Sequence, residues 1–238
     1  MKKITLITII SILLFGCAEM TNVLSEVNDS MNSASGPAPL TNLEVVKGLK
    51  EALTVGTNNS SALTSKLDGF YKNPEIFIPF PPEAIKVKEK VEALGLKPQV
   101  DKFVMTLNRS AETATKEAAP IFINAITSMS IADGFTILRG GENAATTYLK
   151  NKTSEQLRVK FKPVVKNAIS TVEVTKYWNP VINTYNKIPF IEKQNPDLDD
   201  YVTNKAMDGL LLMIEKEEKK IRKDPLARVS DILKRVFS

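Results

Sequence analysis

An all-α fold is what this sequence predicts: a single helical domain of about eight or nine helices with one extended proline-rich strap. Three observations lead there. Apolar residues recur at three- and four-residue steps through most of the chain. Strand-like alternation is almost absent, and Pro74, Pro79, Pro81 and Pro82 crowd into one apolar stretch that cannot be helical.

The chain opens with Lys2 and Lys3, an apolar run from Ile4 to Phe15, and Gly16, the three-part pattern of a secretory signal. That run is shorter than the roughly 20 apolar residues a membrane-spanning helix needs, so residues 1–16 are expected to be cleaved. Leu14-Phe15-Gly16-Cys17 resembles the bacterial lipobox, which makes Cys17 the expected lipidation site. Acyl chains such as palmitate on Cys17 would make the membrane the first expected partner, since each buried CH₂ contributes about 0.8 kcal/mol. Ala18 in place of Asp after the cysteine favours, by resemblance to known sorting signals, the outer membrane facing the periplasm. Residues 17–40, rich in Ser, Asn, Gly and Pro, read as a flexible tether.

The helical domain is expected over residues 41–238. Thr41-Asn42-Leu43-Glu44 forms a capping box, and Leu43, Val46, Leu49, Leu53, Ser60, Leu63 and Leu67 then share one helix face until Asp68-Gly69 ends it. The strap follows, from Phe70 to Pro82. Pro82 suits a first helical turn, so helices resume there to Leu94-Gly95 and again from Pro98 to about residue 115. Ser130-Ile131-Ala132-Asp133 and Thr153-Ser154-Glu155-Gln156 read as further caps, with Gly140-Gly141 as a stop between them. A long helix starts near Asp199 with Val202, Ala206, Leu210, Met213 and Ile221 on one stripe. Asp224-Pro225 then caps a last helix carrying Val229, Ile232, Leu233 and Val236.

With this layout the stretch from Leu40 to Phe237 resembles domain-of-unknown-function family 4197 (DUF4197), a bacterial family found on lipoproteins. The resemblance rests on Leu49-Lys50-Glu51-Ala52-Leu53, Asp68-Gly69-Phe70 with Asn73-Pro74, Ile76 to Pro81, and Asn108-Arg109. It continues through Ala119-Pro120-Ile121-Phe122, Gly140-Gly141 with Ala144-Ala145-Thr146, and Phe161-Lys162-Pro163. The C-terminal run is the most specific: Asp197 to Thr203, Lys205 to Leu210, and Ile221-Arg222-Lys223-Asp224-Pro225. The resemblance implies no catalytic residues.

Composition narrows the function classes. Removing residues 1–16 takes away two lysines and no acid, so the formal charge falls from +5 to +3, too little and too dispersed for a nucleic-acid partner. Cys17 is the single cysteine and histidine is absent, which excludes a disulfide within the chain, Ser–His and Cys–His catalysis, and imidazole metal sites. No Ser-x-x-Lys occurs either. No cofactor and no metal is expected.

Several constellations remain. Asp197, Asp199 and Asp200 read as caps and dipole partners of the long helix rather than as ligands of a hard cation. Arg139-Gly140-Gly141 has the look of an anion cradle, but Glu142 in the following turn would repel an anion. Glu215 to Lys223 reads as a solvated helix face with Glu215/Lys219 and Glu218/Arg222 pairs. Two aromatic sets, Phe70, Phe77 and Phe80 in the strap and Tyr177 and Trp178, read first as core packing, with at least one of Phe77 and Phe80 expected to be buried, and second as candidates for a ligand or partner surface. The expected function is that of a lipid-anchored cell-envelope protein with a non-catalytic interaction or structural role. Its partner is an envelope protein. The alternatives are a periplasmic binder of an apolar small molecule such as a fatty acid, or an enzyme without His or Cys chemistry.

Overall fold

Capped helices and one proline-rich interruption account for nearly everything in the computed structural model, which describes residues 40–171, 197–228 and 230–236, with single positions at 183, 186, 187, 189 and 193. The described residues are helical with no strand, as the periodicity predicts. In chain order the helices are α1 (Asn42–Ser65), α2 (Ile85–Ala93), α3 (Lys97–Ala114), α4 (Ala118–Thr127), α5 (Ile131–Arg139), α6 (Ala144–Ser170), α7 (Leu198–Lys223) and α8 (Asp231–Val236). Single 3₁₀ turns, Pro82–Ala84, Thr115–Glu117 and Pro225–Ala227, punctuate them.

α7 is the spine. It packs most extensively on α6, then on α1 and α3, while α1 also receives α4, α5 and α8. Val202, Ala206, Leu210, Met213 and Ile221 are all buried, so its stripe faces inward as its spacing requires. The second half of α1, a helix that packs on α7, buries a run of small residues, Gly56, Thr57, Ser60, Ser61 and Thr64. A Cβ added at Gly56 would lie 3.6 Å from the Glu217 Cβ, so the two helices approach closely. Thr57 and Thr64 each donate to the carbonyl four residues back, at 2.8 Å, which satisfies their buried hydroxyls. Near the start of α1, Ile232 and Val236 of α8 pack over Gly48, where a Cβ would meet them at 3.1 and 2.9 Å. Val229, expected on the same last helix, lies outside the described residues.

The main core cluster runs from Val46 to Ile214, with Ala52 and Ile221 as a small satellite. Both clusters are built from described residues between Val46 and Ala227.

Four local expectations are corrected. Leu43 and Leu67, placed on the buried face of α1, are 69% and 73% exposed, because they lie at its two ends beyond the reach of the core. Thr153 caps nothing. It is buried inside α6 and donates to the Leu149 carbonyl at 2.7 Å. Leu149, Thr153, Leu157, Phe161, Val165 and Ile169 form an unbroken buried stripe, and that packing carries the helix through the local cap signal. Asp224-Pro225 starts only a 3₁₀ turn, with Asp224 accepting from the Leu226 N–H at 2.9 Å; α8 begins at Asp231. The strap is extended only from Phe77 onward, since its first half, around Asp68 to Ile76, is a series of turns.

Candidate functional site: the strap and its groove

The strap begins where α1 stops. Asp68 adopts a positive φ of 66°, which an Asp tolerates better than most residues, and Gly69 follows with no room for a side chain. A Cβ there would lie 2.5 Å from the Leu63 carbonyl oxygen and 2.6 Å from that of Thr64. This sharp reversal turns the chain back across α3 and α7. A second glycine, Gly209 on α7, receives it: a Cβ at that point would meet the Phe70 ring at 2.8 Å and Ile76 at 3.1 Å.

Two buried polar residues of α3 then hold the strap backbone. Asn108, fully buried, accepts from the Ile78 N–H at 2.8 Å and donates to the Ile78 carbonyl at 2.8 Å, so one amide replaces a strand partner for that residue. Glu112, also buried, accepts from the backbone N–H groups of Phe70 and Tyr71, both at 3.1 Å. Arg109 donates to the other Glu112 oxygen at 2.7 Å and to Asp68 at 2.6 Å, and its guanidinium lies 5.3 Å from the centre of the Tyr71 ring. Lys72 adds a second cation to Asp68 at 2.8 Å. The hydrogen bond from Lys72, then that from Arg109, holds the Asp68 carboxyl below its ordinary pKa. Farther along, Tyr201 donates to the Pro79 carbonyl at 3.3 Å, and Lys216 pairs with Glu75.

The three strap phenylalanines separate. Phe70 and Phe80 are buried at 0% and 7%, with Phe80 5.1 Å from the Phe103 ring centre, while Phe77 is 36% exposed and tilts against Tyr71. On this outer side the strap forms one wall of an open groove of about 500 Å³. Tyr71, Phe77, Pro79 and Phe80 line it from the strap, Val100, Asp101 and Val104 from α3, and Lys88 from α2. α2 packs chiefly on α3 and on the turn that precedes it. Phe77 is exposed at this groove, and Ile85 and Leu94 at the ends of α2 and its following turn, Leu96 before α3 and Met105 on α3 are exposed apolar side chains of the adjoining elements. Cys17, Tyr177 and Trp178 lie outside the described residues.

The other constellations are occupied by the chain itself. Asp197 accepts from the Asp200 N–H at 3.0 Å as the cap of α7, and Lys162 of α6 bridges Asp197 and Asp200 at 2.8 Å each. Those two carboxylates raise the Lys162 pKa, and burial followed by the Asp197 charge raises that of Asp199. Among the described residues no three metal-ligating side chains converge. At Gly140-Gly141 the first backbone N–H groups of α6 do bind a carboxylate, but it is Glu218 of α7. It accepts from Ala145 at 3.0 Å and from Thr146 at 2.8 Å. Arg222 lies 2.9 Å from Glu218 and donates to the Ile137 carbonyl at 3.0 Å, tying α5, α6 and α7 together. Glu218 is therefore buried and Arg222 half-buried, a correction to the solvated reading, whereas Glu215/Lys219 stays near the surface at 2.5 Å. Glu142 pairs instead with Lys223 at 2.6 Å. A small void of about 20 Å³, large enough for one water, lies beside Glu218 between Leu53, Gly56 and Ile214.

Sequence reasoning missed the roles of Asn108, Glu112 and Glu218. The signal was there: each is a polar residue standing among the apolar positions of its helix, Phe103, Leu107 and Ala111 for the first two and Ile214 and Ile221 for the third.

Fold and site together define an all-helical domain wrapped by a clamped proline-rich strap. The chain belongs to the family described as "Protein of unknown function (DUF4197)", whose model matches residues 39–238. No curated protein and no solved structure gives a significant match.

Proposed function

We propose that this is a lipid-anchored cell-envelope protein whose helical domain acts as a non-catalytic binding module through the outer face of the strap. The observation that carries the reading is the groove beside Phe77 and Pro79: a rigidly clamped strap leaves apolar and aromatic side chains facing outward where the rest of its apolar residues are buried. The anchor rests on Leu14-Phe15-Gly16-Cys17, with the outer membrane facing the periplasm as the site. No single helix among the described residues is long and apolar enough to cross a membrane. An envelope protein is the expected partner. The volume of the groove, about 500 Å³, supports a second reading in which an apolar small molecule lies there, since ligand sites span roughly 300–1,000 Å³.

Replacing Cys17 by Ser abolishes acylation and membrane association under this proposal, because the apolar run before it is too short to hold the chain in lipid. Cell fractionation after feeding labelled palmitate tests it. Label on the variant, or a variant that still pellets with membranes after a salt wash, removes the anchor.

A further inference from the structure

We propose that the turn joining α2 and α3 is a membrane-contact tip, with Leu94 and Leu96 entering the apolar edge of the same bilayer that holds the lipid on Cys17. The inference rests on the anchor proposed above and adds a second, weaker point of contact, one that sets which corner of the domain faces the membrane.

Leu94 and Leu96 are 77% and 41% exposed, and every residue from Ala93 to Gln99 is exposed, so the described chain leaves the whole turn uncovered. Between the two leucines Gly95 adopts a positive φ of 81°, and a Cβ added there would meet nothing within 4 Å. The turn stands in open space. Leu96 also occupies the N-cap of α3, where Ser, Thr, Asp and Asn are preferred, and no side-chain hydrogen bond caps the helix. A leucine left bare at a position that favours a polar side chain serves neither the core nor the helix, which points to a surface outside the chain.

Charge and reach select the bilayer as that surface. Residues 83–101 carry four basic and four acidic side chains, and beside the tip Lys97 pairs with Asp101 at 2.6 Å. The tip therefore offers apolar contact without net charge, which suits the acyl boundary rather than an anionic headgroup. Two leucine side chains hold fewer carbons than one myristoyl chain, and a single myristoyl chain gives only marginal, reversible membrane binding. Alone, the tip would not hold the domain at a bilayer. Residues 18–40, however, are rich in Ser, Asn, Gly and Pro, and a coil of that length spans roughly 25–30 Å. A lipid on Cys17 keeps the domain within that distance of the surface, so contact by the tip becomes an intramolecular event and a weak apolar patch suffices.

The test uses the full chain, purified with its lipid and placed in vesicles of neutral phosphatidylcholine with or without bromine on the acyl chains. Cys17 is the single cysteine and its thiol is consumed by the lipid, so Ala93→Cys supplies one thiol for an environment-sensitive fluorophore beside the tip. Leu226→Cys, 92% exposed in the Pro225–Ala227 turn, is the control. The label at position 93 is expected to be quenched by brominated lipid and to stay quenched in high salt, while the label at position 226 is not quenched. Leu94→Asp combined with Leu96→Asp abolishes the quenching and leaves the urea midpoint unchanged or raised, since neither leucine is packed and Asp suits an N-cap. The tip is overturned if position 93 is not quenched, if position 226 is quenched equally, if salt removes the quenching, or if the double variant retains it or lowers the midpoint. The mass of the purified chain reads the anchor separately. A chain without acyl groups overturns the anchor and this proposal with it, whereas an acylated chain without quenching overturns the tip alone.

Discussion

Phe77 and Phe80 are three residues apart in the same extended segment, yet one is 36% exposed and the other 7%. Period-two alternation sends Ile76, Ile78 and Phe80 inward and Phe77 and Pro79 outward. The consequence is a separation of stability from binding at neighbouring positions. Phe80→Ala removes a ring packed on Phe103 and is expected to cost about 3–5 kcal/mol in urea titration. Phe77→Ala is expected to cost less than about 1 kcal/mol while altering whatever occupies the groove. Equal costs in the two titrations would contradict the orientation of the strap. Asn108 acts differently: its side chain completes a backbone rather than a core. Losing it leaves the buried N–H and C=O of Ile78 both unpaired, and groups left in that state are costly well beyond the net value of a hydrogen bond.

At the scale of elements, the strap is held by an ionic latch at its first turn and by apolar side chains farther on. Asp68, Arg109, Glu112 and Lys72 form that latch. Because Asp68 has its pKa lowered in the folded chain, its contribution is present above its unfolded value and disappears as pH falls through the lower folded one. Unfolding free energy should therefore decline on acidification below the ordinary carboxylate range. Asp68→Asn should flatten part of that decline, since Asn tolerates the positive φ and removes only the charge. Urea midpoints of both proteins across the acid range measure this, and parallel curves would mean that Asp68 contributes nothing. Residual slope in the variant is expected from Glu142, lowered mainly by its hydrogen bond to Lys223, and from Asp133, lowered by Ser130. The other element-level device, Glu218, caps α6 from a different helix. It couples the start of α6 to the end of α7, so loosening one end loosens the other.

For the molecule as a whole, cohesion comes from one core under α7 without disulfide, histidine or convergent metal ligands among the described residues. Residues 41–238 alone are expected to unfold in one cooperative helical transition. Chelator should leave the melting temperature where it is, because Lys162 and Arg158 already pair with Asp197 and Asp200. A loss of several degrees with EDTA in circular dichroism melts would place a cation at that cluster after all.

The sequence by itself determined the helical class, the interruption at the strap, the capping box at Ser130 and the inward stripe of α7. Each depends on neighbours within a few residues, where periodicity, prolines and caps act directly. The resemblance to the family was legible for the same reason, in short runs such as Asp68-Gly69-Phe70 and Asn108-Arg109. Only the tertiary structure decided why those runs belong together: Asp68 meets Arg109, and Ile78 meets Asn108, across 41 and 30 residues of chain. It also decided that Thr153 lies inside a helix, that Glu218 is a buried cap, and that Phe77 rather than Phe80 faces out. A buried polar group is stable only beside its partner, and partners distant in sequence leave no local periodicity by which to find them.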